Sequence, residues 1–342
     1  VRWGCGLVLA VCTFGLIGSV AAAEFYQGKS IGLIVGNNVG GGYDQYARLL
    51  ARHMGRHILG QPNFVVKHQP GAGGMVMANA MYATVPRDGL SIGLMARDSA
   101  IEQVLGNPIA KFKAENFTWL GTSSRYQSDA FCLIIRSDSG ISSIADLQKS
   151  ARPIIVGGSV EGGSETDVVL VGRELLKLNM QIVRGYRSSP DLLLAMQRGE
   201  IEGRAMTYTS VEKAMGDWLK QGKLRILLQF GHAERLAALP DVPTAQELVR
   251  NPVDNQLLEL VEAPFEMARP FIAPPNIPPE RAEILRQAFM ATQQDPDYLR
   301  DAKDMQLDIS PLDSEDIQKI IGRVARTPSA VIARYNAVLR SK

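Results

Sequence analysis

Apolar runs of six or seven residues alternate along this chain with stretches whose apolar positions recur every three or four residues. The runs at 30–36, 63–69 and 90–96 predict buried strands, and helical spacing at 43–58 and 74–84 fills the gaps between them. A segment rich in Ser, Thr and Gly, Trp119 to Asp129, interrupts the pattern. A second set follows, with strands near 131–137, 153–158, 181–186, 201–207 and 224–230 and helices near 143–149, 164–178, 189–198 and 210–221. Strands separated by helical patterns of this length read as βαβ units, so the expectation is an α/β fold with two sheets, each mainly parallel. Past Gly231 the chain reads as a loop dotted with Pro264, Pro270, Pro274, Pro275, Pro278 and Pro279, then a helix over 280–293. A last long helix over 314–339 places Ile317, Ile320, Ile321 and Val324 on one face. These helices need a surface to cover, and the first sheet is the natural one. The expected organisation is a discontinuous domain 1 formed by 24–125 and 232–342, with domain 2, 126–231, inserted and two chain crossings acting as a hinge.

The start of the chain changes this picture. Arg2 leads into an apolar run from Gly4 to Ala23 that closes on Ala21-Ala22-Ala23, which reads as a secretory signal peptide over 1–23 cut after Ala23. Cys5 and Cys12 fall within it, leaving Cys132 alone in an apolar strand, where a buried structural thiol is expected and no internal disulfide can form. Without Arg2, the 37 basic residues become 36 against 35 acidic ones, and no basic face suited to nucleic acid stands out. The mature chain is expected to be exported, soluble and monomeric.

Three glycine-rich junctions carry the chemistry. Gly40-Gly41-Gly42-Tyr43-Asp44 and Pro70-Gly71-Ala72-Gly73-Gly74 follow the first two strands, and Gly157 to Asp167 follows the strand at 153–158. Each should lie at the carboxyl end of a parallel strand, where open α/β sheets bind ligands. There backbone amides approach a bound group closely and the following helix turns its positive end toward it. A single glycine loop is equally well explained as a turn with a cap, Ser164 being a plausible one; three loops on two domains point instead to an anion held across a cleft. Amides on a carboxylate contribute roughly 1.5–3 kcal/mol each, whereas association costs about 4–15 kcal/mol, so one loop does not suffice and closure of two lobes does. Arg97, just after the third strand, is the leading fork for a carboxylate. Arg204, within the run 201–207 where a charge is costly unless paired or facing the cleft, and Tyr43 and Tyr208 are further candidates.

Enzyme and metal readings are weaker. Gly162-Gly163-Ser164-Glu165-Thr166 resembles a nucleophile elbow but lacks its last glycine, and Gly71-Ala72-Gly73-Gly74 lacks the third glycine of a dinucleotide loop. His53 and His57 have zinc spacing, but Met54 stands where the general-base Glu would be, so a solvated helix face is the better reading. No catalytic residue, metal or cofactor is expected.

Several ordered motifs then carry a resemblance. Gly40 to Asp44 resembles GGGTD, Gln69 to Gly74 RPGAGG, Arg87-Asp88-Gly89 PDG, Gly222 to Arg225 GKLR, Leu239 to Thr244 LPDVPT, and Asp295-Pro296 a late helical DP. Together they are similar to the Bug, or TctC-like, family of periplasmic receptors for tripartite tricarboxylate transporters, across essentially the whole mature chain. The resemblance implies a two-lobe Venus-flytrap receptor that captures a small organic acid and delivers it to the transporter's membrane subunits. It implies a pocket made of Gly41, Gly42, Tyr43, Asp44, Ala72, Gly73 and Gly74 in domain 1 and Ser159, Ser164, Glu165 and Thr166 in domain 2. Where the family reads PFPAGG this chain has Gly36-Asn37-Asn38-Val39-Gly40-Gly41, Tyr43 replaces a threonine and Asp167 a histidine. Acids at Glu161, Glu165 and Asp167 would repel a second carboxylate and favour an amine, amide or neutral distal end. Alternatives are an orphan receptor read by a membrane sensor kinase, and a secreted hydrolase using Ser159 or Ser164.

Overall fold

A computed structural model describes residues 25–127, 129–158, 164–186, 189–231 and 233–340 of the chain; the expected signal peptide lies outside the described residues. Eleven strands form two sheets among these residues. The first contains β1 (Ser30–Val35), β2 (Asn63–His68), β3 (Ser91–Leu94), β4 (Thr118–Thr122), β10 (Pro270–Ala273) and β11 (Leu312–Asp313), in the order β11-β4-β10-β3-β1-β2. The second contains β5 (Phe131–Arg136), β6 (Ile154–Gly157), β7 (Met180–Val183), β8 (Gly203–Thr207) and β9 (Leu224–Phe230), in the order β7-β6-β8-β5-β9. The α/β, two-lobe architecture is the one read from the hydrophobic pattern. Both sheets are mixed: β1 pairs in parallel with β2 and β3, and β6 with β7 and β8, while β10 runs antiparallel between β3 and β4, β11 runs antiparallel to β4, and β5 runs antiparallel between β8 and β9, so that β1 to β4 share one direction and β6 to β9 another.

Two strands arise where loops were expected. β4 lies within the segment read as a break, yet Trp119 and Leu120 have no exposed surface, and the Trp119 indole donates to the Ala114 carbonyl at 2.9 Å. A five-residue strand buried on both faces shows no alternation for a sequence pattern to detect. β10 begins at Pro270, where a missing N–H is tolerated, and it fills the gap between β3 and β4. The Pro252–Glu266 helix also runs through the expected loop; Pro264 sits in its last turn, and Asn251 caps it by accepting from the Val253 amide at 2.9 Å. The long C-terminal helix is two, Ser314–Ala325 and Ser329–Arg340, because Pro328 interrupts it. The face formed by Ile317, Ile320, Ile321 and Val324 is buried as its spacing requires.

The helices past Gly231 serve both sheets. Ser314–Ala325 and Pro279–Gln294 pack on β4, whereas Pro252–Glu266 and Ser329–Arg340 pack on the Ser164–Leu176 helix of the second sheet. The last helix is fastened there by the Tyr335 hydroxyl on Asp167 (2.9 Å) and by Arg184 on the Leu339 carbonyl (2.8 Å). Cys132 is buried and unbridged, as its strand position implied.

Strand direction decides what reaches the cleft. β1, β2 and β3 end at one edge of their sheet, and antiparallel β10 begins there, with Pro270 opposite Thr122 at the end of β4. β6, β7 and β8 likewise end at one edge of the second sheet, where β5 begins with Phe131 opposite Thr207. Residues just before β5 and β10 therefore join the strand-end loops.

Candidate functional site

The first loop presents unpaired amides. Gly41, the N-cap of the Gly42–His53 helix, has no side chain to cap it, so the N–H groups of Gly42, Tyr43 and Asp44 have no partner within the helix. Asp44 shapes the loop from beneath. Its carboxylate accepts from the Gly40 amide, Arg48 Nε and His68 Nε2, each at 2.9 Å. Burial would raise its pKa, but the Gly40 and Arg48 hydrogen bonds outweigh that and hold it below the usual carboxylate range. Asp44 is thus spent on the loop itself rather than turned to a ligand.

The second loop runs through positive φ at Gly71 (135°), Ala72 (47°), Gly73 (65°) and Gly74 (94°). Glycine is required at 74: a Cβ there would stand 2.6 Å from the Ala96 Cβ. Ser99 Oγ donates to the Gly73 carbonyl at 2.8 Å, and Gly36 touches Gly74. The Arg97 amide donates to the Tyr43 hydroxyl at 3.0 Å. The loops after β1, β2 and β3 therefore converge, as expected from their strand order.

Other anticipated contacts are engaged elsewhere. Arg97 is 7% exposed, donates to the Tyr126 hydroxyl at 3.1 Å and lies about 5 Å from the rings of Phe131 (5.1 Å) and Phe265 (5.2 Å). It ties the first sheet to the second rather than opening a fork to solvent. Arg204, 3% exposed, donates to the Ser189 carbonyl at 2.9 Å and so anchors the Ser189–Arg198 helix to β8. Asp167, 4% exposed, accepts from the Tyr335 hydroxyl at 2.9 Å. Thr166 is buried, its methyl 2.8 Å from where a Gly158 Cβ would sit, and Tyr208 bonds to Glu212 at the start of its helix. Ser159 and Glu161, and the side chains of Ser164 and Glu165, lie outside what is described. His53 and His57 bond to different acids, Asp301 (2.9 Å) and Asp295 (2.8 Å), and brace their helix against Pro296–Asp304; no metal-binding group occurs among the described residues.

A cavity of about 500 Å³ opens between the two strand-end edges. From the first lobe it is lined by Gly42, Gln45, Tyr46, Arg269 and the segment Met305 to Asp308, and from the second by Asp129, Thr207, Thr209, Ser210, Glu212 and Lys213, with Tyr126 between them. The two walls differ electrostatically. On the second, the Tyr208–Lys220 helix has its first amides satisfied: Tyr208 donates to the Ala130 carbonyl (2.9 Å), Thr209 to Asp129 (3.1 Å) and Ser210 to Thr207 Oγ1 (3.3 Å). Thr209 Oγ1 also donates to Asp129, whose pKa burial pushes up even so. On the first wall, the Gly42–His53 helix keeps its amides and has a guanidinium beside it.

That guanidinium is Arg269, which the sequence reading missed. It stands just ahead of β10, and antiparallel pairing carries it to the edge where the glycine loops lie. Its Nη2 is 3.3 Å from where a Gly42 Cβ would be, and its Cζ lies 4.5, 5.0 and 5.3 Å from the rings of Tyr43, Tyr46 and Tyr126. Nη1 donates to the Ala268 carbonyl at 2.7 Å, and the enclosed Nε has no hydrogen-bond partner. The signal available was an arginine before the short apolar run Pro270 to Ala273, obscured by the surrounding prolines.

Two converging strand-end edges with a polar cavity between them define the class, a two-lobe solute-binding protein. Residues 46–336 match the tripartite tricarboxylate transporter family receptor (TctC), and the chain belongs to that family. Its members are periplasmic receptors rather than enzymes. A UPF0065 protein of Cupriavidus necator is 26% identical over 340 residues, covering 96% of this chain and 95% of its own. Among solved structures, a TctC solute-binding protein from Polaromonas superposes with a TM-score of 0.65 at 20% identity, covering 92% of this chain and 98% of its own. Two from Rhodopseudomonas palustris share the fold: one with bound malate (0.60, 18%, 92% and 99%) and one with adipate (0.63, 19%, 91% and 96%). No described helix is long and apolar enough to cross a membrane.

Proposed function

We propose that this chain is a periplasmic receptor that takes up a small organic carboxylate between its lobes and delivers it to the membrane subunits of a tripartite tricarboxylate transporter. The observation that carries the reading is the unsatisfied amino end of the Gly42–His53 helix, set beside Arg269 on one wall of the interlobe cavity. Helix amides and a guanidinium both favour an anion, and both gain strength as closure excludes water. Relatives with malate and adipate support the ligand class. Because Pro252–Glu266 and Ser329–Arg340 pack on the Ser164–Leu176 helix of the second sheet, the division we propose gives these two helices to the second lobe with 126–231 and leaves 24–125 and 267–328 to the first. Export by cleavage after Ala23 belongs to the same reading.

The test is thermal unfolding of the purified mature chain across a panel of small carboxylates and matched neutral amides. Saturation at about a hundred times Kd adds about 2.7 kcal/mol and raises Tm by several degrees. At least one acid is expected to do so and its amide to have no effect. A panel of acids that leaves Tm unchanged excludes the ligand class.

A further inference from the structure

Resting on that reading, we infer that the receptor is specific for a hydroxylated monocarboxylate, with Arg269 as the carboxylate anchor and the second-lobe wall as a hydroxyl-recognising face. The asymmetry of the cavity carries the inference. On the first wall Arg269 and the unsatisfied helix amides share the lining with one acid, Asp308, whose carboxylate accepts from the Ser124 (2.7 Å) and Ser310 (2.5 Å) hydroxyls. Arg269 forms no ion pair with any described carboxylate, its enclosed Nε meets no acceptor, and three tyrosine rings, Tyr43, Tyr46 and Tyr126, surround its plane. Those rings replace water around the guanidinium and fix its orientation, so a carboxylate entering beside Gly42 meets donors already aimed. Enclosing a guanidinium without a counter-ion is costly, and an anion at this place offsets the cost.

The opposite wall refuses a second anion. The place where one would sit, at the amino end of the Tyr208–Lys220 helix, is already taken by Asp129, which accepts from the Thr209 amide and hydroxyl and from the Ala130 amide. Glu212 adds a second acid and Lys213 one base, so carboxylates outnumber cations on this face. What remains for a ligand's far end are the Ser210 hydroxyl, which both donates and accepts, the Thr207 and Thr209 oxygens, which accept because their protons are given to Ser210 and Asp129, and the amides of Gln45 and Gln306 across from them. Hydroxyl groups, which donate as well as accept, match that inventory, whereas a second carboxylate would face the acceptor oxygens of Thr207 and Thr209 and the acids Asp129 and Glu212 with Lys213 as the cation on that wall. The cavity, about 500 Å³, exceeds what a three-carbon acid fills, so an acid of up to six carbons fits with bridging water. This specificity differs from that of the relatives solved with the dicarboxylates malate and adipate.

The experiment is isothermal titration calorimetry of the mature chain with paired acids: glycerate against tartronate, gluconate against glucarate, and hexanoate against adipate. The expected order places a hydroxylated monocarboxylate at least about tenfold tighter than its dicarboxylate partner and than hexanoate, one extra charged or hydroxyl contact being worth that factor. Arg269→Gln is expected to weaken that ligand by roughly tenfold to a hundredfold, and Arg269→Lys, which keeps the charge but not the planar fork, by less. Circular dichroism and Tm establish that both variants are folded, and the lysine variant keeps the test decisive if the glutamine variant is not. Tighter binding of a dicarboxylate, or unchanged affinity in either folded variant, overturns this inference while leaving a carboxylate receptor intact. Binding of no acid at all overturns the receptor reading and this inference with it.

Discussion

Asp44 shows how a single carboxylate sets the form of a binding loop. It joins the Gly40 amide, Arg48 and His68, and so locks the turn that exposes the next three amides. Asp44→Ala is expected to cost about 1–3 kcal/mol of stability, read by urea denaturation, and to weaken ligand binding without removing any ligand contact. Because its folded pKa is depressed, this contribution is present at neutral pH and disappears as acid protonates the group, so the wild-type advantage should vanish at the acid end of a pH series. At Gly74 the constraint is steric: Gly74→Ala brings a Cβ to 2.6 Å from Ala96 at φ 94° and is expected to lower Tm by several degrees in a thermal melt. Residues of this kind were legible in the sequence as glycine spacing. The partners of Arg97 and Arg204 were not, because an arginine at a strand end looks the same whether it faces a cleft, as Arg269 does, or spans two sheets in the interior.

At the scale of elements, the Pro252–Glu266 helix holds a titratable joint. Glu262, 3% exposed, accepts from the Gly231 amide at the end of β9 (2.9 Å) and from Gln246 (2.7 Å). Burial pushes its pKa up to about 7, against which those two bonds are too weak. The unfolded chain releases this proton near pH 4.5 and the folded chain near 7, so folding stability falls as pH rises between them. Glu262→Gln removes that slope. The stability gap between variant and wild type is expected to widen in the variant's favour from pH 5 to 7, by an amount of the order of 3 kcal/mol at most, measured by denaturant titration. Alternating elements, from β1 to β3 and from β5 to β9, were readable from periodicity. Those that escaped share a physical cause: β4 and β10 are too short and too evenly buried to alternate, Pro264 disguised a helix, and Pro328 divided another.

For the whole molecule, the cavity between two sheet edges implies that ligand uptake is a rigid-body event. Small-angle scattering with and without a bound acid should show a smaller radius of gyration in the complex, whereas a preformed pocket in a rigid chain would show no change. The overall plan was legible because glycine clusters after parallel strands identify a sheet edge. The anchor was not, because Arg269 reaches that edge only through an antiparallel strand, 195 residues after Gly74.

Trp119 is sealed in the first sheet, and Trp218 lies half-buried in the helix that starts at the cavity wall, beside Arg136. With cleavage after Ala23, as proposed, Trp3 is removed and the mature chain carries one indole per lobe. Intrinsic fluorescence therefore comes with its own internal standard: a dry emitter that stays constant and a wetter one whose colour and quenching by iodide report lobe movement, without any dye.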